Sequence, residues 1–251
     1  MKRLAGCGKT PVSRRLLIVC AVLLTTLWAS WVLGQGSSPA PVNVPIVAPP
    51  IPKLPLTGPP PGWELKEFTG KAEIAVRQDG EHIVVHLTSR GTSFALFRDV
   101  PLDITRYPIL KWSWKVTELP AGGDIRQKTT DDQAAQLYVV FPRGLVPAVQ
   151  SHLLGYLWDT TAPVGTKVSS PQPCPPTCNT KVIVLQSGAQ KLGQWVEERR
   201  NILEDYRALF GQEPPKVGRV AVMIDSNDTK GKAESFFREL VFLPAGAAAG
   251  Q

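Results

Sequence analysis

Short apolar or alternating runs, each closed by a Gly, Pro or Asp turn, recur through most of this chain: 72–78, 82–87, 93–97, 108–116, 134–141, 181–186, 217–225 and 235–242. Runs of that length with period-two alternation are strand signals, and turn residues at such spacing bound the strands of a sandwich or barrel. The run 137–141 is apolar at every position, as expected of an inner strand covered on both faces. Against this background one stretch, about 194–210, carries Trp195, Arg199, Ile202, Tyr206 and Leu209/Phe210 at three-to-four spacing with charges between them. That spacing predicts a helix, closed by Gly211 and barred from continuing by Pro214-Pro215. The chain is therefore expected to be mostly β, a sandwich of about eight strands with one helix.

The flanks differ in character. Residues 1–34 hold five of the 28 basic residues and no acid, and 16–33 carry no charge. A basic start, an apolar core and small residues after it form the pattern of a secretory signal, or of an uncleaved anchor, since 18 residues also reach the minimum for spanning a bilayer. The protein is thus expected to be exported, periplasmic or envelope-associated, touching membrane only through this segment if it stays uncleaved. Residues 35–62 are rich in Pro and predict a stiff extended linker. The sandwich domain is expected over 63–244, with an Ala/Gly tail at 245–251. Outside the first 34 residues, 23 basic residues face 21 acidic ones. A near-neutral domain without a basic stripe argues against nucleic acid as a partner. Cys174 and Cys178 flank a Pro-Pro step in the exported part, where a disulfide is the expected pairing.

Two polar blocks stand at the edges of the apolar runs. The first holds Trp112, Trp114, Asp124, Lys128, Asp131 and Asp132. The second holds Trp195, Glu198, Arg200, Asn201 and Asp205, then Asp225, Asn227 and Asp228 after a strand-like run. Loops at strand ends are where a rigid scaffold presents functional groups. The chain has no phosphate-cradling glycine loop, His-Glu-x-x-His pair or Ser-His-Asp order. Asp225, Asn227 and Asp228 supply alternating oxygen atoms of the kind calcium takes, without the Gly and terminal Glu of a helix-loop-helix site. An Asx-type turn accounts for the same residues. Runs 134–141 and 217–225 would bring Asp131, Asp132 and Asp225 to one end of the sandwich if they pair antiparallel.

The combination resembles a family of exported bacterial proteins defined only as a domain of unknown function, number three thousand and forty-seven. The resemblance rests on Trp112/Trp114, Lys128/Asp131/Asp132, Tyr138 to Phe141, Tyr156/Trp158 and Ser187-Gly188. It continues through Gly193/Trp195, Glu198/Arg200/Asn201, Asp205/Tyr206, Ala221/Met223/Asp225 and Asn227-Asp228-Thr229. It departs at 236–239, where Phe-Phe-Arg-Glu stands in place of paired Tyr before Gly-Asp. The stretch 97–114 is also similar to jelly-roll glycan-binding modules, which implies a jelly-roll-like sandwich. The family implies no chemistry. On these grounds the expected function is binding of a glycan or other polar envelope ligand through Lys128, Asp131, Asp132, Trp158, Glu198, Arg200, Asp225 and Asp228, with calcium as the candidate cofactor. Hydrolysis of a polysaccharide by two of the carboxylates and a ligand-free scaffold are the alternatives.

Overall fold

The structure is a computed structural model that describes residues 39–145, 150–172 and 179–247. Cys174, Cys178 and the apolar segment 16–33 lie outside the described residues. Residues from Ala40 onward form one compact unit.

Two seven-stranded sheets make a sandwich. The first sheet runs β12 (Val196–Asn201), β7 (Ile109–Glu118), β14 (Lys232–Leu243), β5 (His82–Arg90), β4 (Glu73–Asp79), β2 (Leu56–Thr57), with β1 (Val42–Val44) also paired to β14. The second runs β10 (Lys167–Ser169), β11 (Asn179–Ser187), β9 (His152–Asp159), β8 (Ala135–Phe141), β13 (Val217–Asp225), β6 (Ser93–Leu102), β3 (Glu64–Thr69). The chain crosses between sheets after β2, β3, β5, β6, β7, β11, β12 and β13, a jelly-roll-like path. Pairing is antiparallel except for β9 with β11. Fourteen strands replace the expected eight. β9 lies outside the eight expected runs although it is mostly apolar, and β1, β2 and β10 are two or three residues long, too short to show alternation. β3, mostly exposed at an edge, and β12, rich in charge, show no apolar run.

Alternation sorts the side chains. Trp112 and Trp114 of β7, Tyr156 and Trp158 of β9, and Leu137, Val139 and Phe141 of β8 point between the sheets and are fully buried. Trp112 meets Trp114 edge-on at 5.4 Å and Tyr156 at 5.2 Å between ring centroids. Such aromatic packing adds large buried areas to the mainly aliphatic core between the two sheets.

Two expectations need correction. The segment 40–62 is not a linker. β1 pairs with Leu240–Phe242 of β14, Val44, Ile46 and Val47 are buried, and the Trp63 indole N–H and Arg98 Nη1 both donate to the Pro45 carbonyl. Proline excludes helix and central strand, yet leaves room for an edge strand and for apolar side chains between the prolines. The helix is also shorter than expected: α1 spans Ile202–Phe210, while 196–201 is the edge strand β12. Asn201 caps α1, its Oδ1 accepting from the Glu204 N–H, and Gly211 closes it at φ 66°, where its N–H donates to the Arg207 carbonyl. An Asn followed three residues later by Glu is a helix-start signature, and it marks the true boundary.

Candidate functional site

The outer face of the second sheet, turned away from the sandwich interior, carries a cleft of about 370 Å³. Its floor follows from strand parity. On β8 the residues between Leu137 and its core neighbours are Gln136 and Tyr138; on β13 they are Ala221, Met223 and Asp225; on β6 they are Ala95 and Phe97. Of these, Gln136, Tyr138, Met223, Asp225, Ala95 and Phe97 line the cleft, with Leu153 of β9 and Phe68 of β3. Gly155, paired with Tyr138 across β8 and β9, makes the close packing possible: a Cβ there would lie 2.5 Å from the tyrosine ring. Loop residues Asp131, Gln133, Ser170, Gln172, Asn227 and Asp228 form the polar wall.

The strands bearing the acids are neighbours. β8 and β13 pair antiparallel, so the start of one lies beside the end of the other. There Asp225 Oδ1 accepts from the Gln133 backbone N–H at 2.6 Å and from Gln136 Nε2 at 2.9 Å. Gln133 also donates through Nε2 to Asp131 Oδ1 at 3.1 Å, linking the two acids. Tyr138 donates to Gln136 Oε1 at 2.7 Å, which orients the amide toward Asp225. Asp132 turns the other way along the chain. It is fully buried and accepts from the backbone N–H groups of Asp228 and Thr229, at 3.1 and 2.6 Å. It pins the loop after β13. Asp228 in turn accepts from Gln172 Nε2 at 2.8 Å and from Asn227 Nδ2 at 2.9 Å.

Burial raises the Asp131 carboxyl to about 7 against the Gln133 hydrogen bond, with Asp228, Asp132 and Asp159 pushing the same way. Asp225 is raised well above the usual carboxylate range, first by burial and then by Asp132 and Asp131, against the N–H donors that favour its ionised form. Burial also raises Asp228. Taking a charge out of water beside like charges penalises the ionised form.

The remaining candidates lie elsewhere. Trp158 is on the core face of β9; it donates to the Gly188 carbonyl at 3.1 Å and is 1% exposed. Glu198 and Arg200 sit on the core-facing side of β12 in the other sheet. Glu198 accepts from Gln186 Nε2 at 2.7 Å, and burial raises its carboxyl. Arg200 makes a two-pronged pair with Asp205, which also accepts from the Tyr156 hydroxyl at 2.8 Å. Since side chains two apart on a strand share one face, neighbours in register with core tryptophans could not reach the outer cleft. Lys128 is exposed in a 3₁₀ turn; its carbonyl accepts from Gln172, and its side chain does not line the cleft. Gln133, Gln136, Tyr138, Phe97 and Met223 line the cleft but were not among the expected site residues. The signal available was Gln136 and Tyr138, two polar groups at i and i+2 inside an otherwise apolar run. Among the described residues no group of three or more His, Cys, Asp or Glu is arranged to hold a metal.

The family model described as "Protein of unknown function (DUF3047)" matches residues 61–241. The chain belongs to that family. The DUF3047 match begins after β2 and contains every residue that lines the cleft. No curated protein matches the sequence. Among solved structures, the DUF3047 chain is similar to an endoglucanase from Rhodothermus marinus, with TM-score 0.45 and 10% identity over 76% of this chain and 100% of that one. It is likewise similar to a family 12 xyloglucanase from Bacillus licheniformis, with TM-score 0.45 and 9% identity over 81% and 100%. A family 11 carbohydrate-binding module of a Clostridium thermocellum cellulosomal cellulase gives TM-score 0.39 and 8% identity over 73% and 88%.

Proposed function

We propose that this protein binds a glycan in the outer-face cleft of its second sheet, as an exported component of the cell envelope. The observation that carries the reading is the composition of the cleft: an apolar floor of Phe97, Met223, Ala95 and Leu153 beside an ordered row of Asp131, Gln133, Gln136, Gln172 and Asp225. A sugar ring has the same division, an apolar face of C–H groups and an edge of hydroxyls. Concave, mostly apolar sites with a few oriented polar groups are the general form of small-ligand sites. Phe68, 48% exposed at one side of the cleft, adds an aromatic face of the kind that stacks on a ring.

Binding is favoured over hydrolysis by the electrostatics. A glycosidase needs one carboxyl held protonated and its partner held ionised. Here burial raises both Asp131 and Asp225, and none of the described residues that line the cleft is basic. The test is titration of the protein with a panel of neutral oligosaccharides, cello- and xylo-oligosaccharides included, alongside Phe97→Ala and Gln136→Ala variants. Binding by the parent and at least about tenfold weaker binding by both variants supports the reading, a tenfold loss being about 1.4 kcal/mol. Reducing sugar released by the parent and abolished in Asp131→Asn would establish hydrolysis instead. For the export part of the proposal, N-terminal sequencing of envelope protein should find a start near Gln35; an intact Met1 would mean an anchor.

A further inference from the structure

We infer that the cleft receives the end of a glycan chain, its last one or two sugar rings, and not a stretch from the middle of a polymer; this rests on the glycan reading above and names its substrate class. The observation that carries it is a bridge across the outer face of the second sheet. Ser170 follows β10, and its N–H donates to the Thr180 carbonyl at 3.0 Å, beside Leu153, where β9 and β11 begin. Two residues on, Gln172 Nε2 donates to the Lys128 carbonyl at 3.2 Å and to Asp228 Oδ2 at 2.8 Å. Lys128 stands before β8 and Asp228 after β13. Because β8 runs antiparallel to both β9 and β13, those loops lie at the opposite end of the strands from Thr180. In the order of the sheet, β11, β9 and β8 also separate β10 from β13. The segment from Ser170 to Gln172 therefore passes over the outer face from one corner toward the other, and both residues line the cleft. Successive strands twist by about 20–25°, which swings those corners toward each other.

The bridge is a fixed wall. Asp132 pins the backbone of Asp228 and Thr229, Asn227 Nδ2 donates to Asp228 Oδ1, and the Gln172 N–H donates to Ser170 Oγ at 3.3 Å. A chain that enters across the strands or along them ends against it. The opposite side, at the β3 edge, is where Phe68 stands exposed. There Lys66 Nζ lies 5.0 Å from the centre of the Phe68 ring, and the Arg219 guanidinium lies 5.1 Å from that of Phe97. Arg219 is held in place by Glu64 and Asp99. Each cation covers one face of its ring, so each ring offers a sugar the other. The cavity, about 370 Å³, is at the small end of the range of about 300–1,000 Å³ for small-ligand sites. One sugar on Phe97 and a second at Phe68 fill it, and a third would stand in water beyond β3. A polymer bound through its middle needs two open ends, and this cleft has one.

Calorimetric titration of the full chain in detergent at pH 7 tests this. The probes are cello- and xylo-oligosaccharides of one to six units, and the hexamers methylated at the reducing end only or at the non-reducing end only. Affinity should rise from one unit to two and then stay within about twofold up to six. Methylation of one end should weaken the hexamer at least about tenfold, the scale of forcing a methyl group into a filled wall, while methylation of the other end changes nothing. Gln172→Ala opens the wall; it should keep thermal unfolding unchanged and bring the rejected hexamer within about threefold of the free one. Affinity that climbs through six units, or an equal effect of the two methylations, overturns the chain-end inference and leaves the glycan reading standing. Rejection that persists in Gln172→Ala overturns the bridge as its cause. Absence of binding by every oligomer withdraws the glycan reading and this inference with it.

Discussion

Asp131→Asn is expected to stabilise the protein, and to do so more strongly as pH rises. Asp131 is surrounded by acids: Asp228 from the loop after β13, Asp132 beside it and Asp159 at the end of β9 all raise it, and it repels Asp225 in turn. Its carboxyl in the folded chain titrates at about 7, against an ordinary 3.8. For an acid whose folded pKa lies above its unfolded one, the native state binds the extra proton. Stability is then greatest below the unfolded pKa and falls as pH rises through about 4 to 7, remaining flat beyond. The whole gap, at about 1.4 kcal/mol per pH unit, amounts to about 4 kcal/mol. Asparagine keeps the Oδ1 that accepts from Gln133 and never ionises. Relative to the parent, the variant should gain about 2 kcal/mol at pH 5 and about 4 kcal/mol at pH 8. For a domain of this size those gains correspond to Tm increases of about 4–8 °C and 8–16 °C. Thermal unfolding followed by circular dichroism at pH 5, 6, 7 and 8 measures both curves. A Tm difference that stays constant with pH, or a variant less stable than the parent at pH 8, would refute the assignment of Asp131 as a destabilised, uncompensated acid.

The adjacent Asp132→Asn should do the opposite. It places an amide N–H₂ against one of two buried backbone N–H groups, and the loss of about 2–4 kcal/mol should appear as a Tm lower by several degrees at every pH from 6 to 8. Arg200→Ala leaves Asp205 buried without its cation, a loss of about 3 kcal/mol in chemical unfolding, while saccharide titration of the cleft stays unchanged because that pair faces the sandwich interior. Deleting residues 39–51 strips Val44, Ile46 and Val47 from the core, each worth about 1.5–3 kcal/mol when buried. The truncated protein should show a lower Tm and faster proteolysis of β14, whereas a true linker could be removed without effect.

The strand runs that alternate cleanly were legible because β structure encodes itself in period two. The starts and ends of β5, β7, β11 and β13 fall within a few residues of the runs that predicted them. The Gly211 cap was equally legible, since a positive φ favours glycine. Where the reading failed, two local codes competed. In 194–201 the spacing of Trp195, Arg199 and Ile202 fits a helix, but Val196, Glu198 and Arg200 also alternate. Hydrogen bonding to β7 decides for strand, and that partner is some eighty residues away in sequence. The proline-rich segment failed for a related reason. Composition reports what a stretch cannot form by itself, while β1 is made a strand by the free edge that β14 offers it.

The sequence alone determined that the chain is mostly β and that acids stand at the ends of apolar runs, because these follow from alternation and turn chemistry within a few residues. Only the tertiary structure decided which of those acids share a site. β8 is buried along its whole length, so its composition does not distinguish the face that meets the tryptophan core from the face that floors the cleft. That distinction arises when β13 and β6 on one side and β9 on the other bring Met223, Phe97 and Leu153 beside Gln136 and Tyr138. The same pairing sends Trp158 into the core, and the placement of β12 at the edge of the other sheet puts Glu198 and Arg200 out of the cleft's reach. Register between strands distant in sequence is set by global packing, and a one-residue slip in it would exchange the two faces.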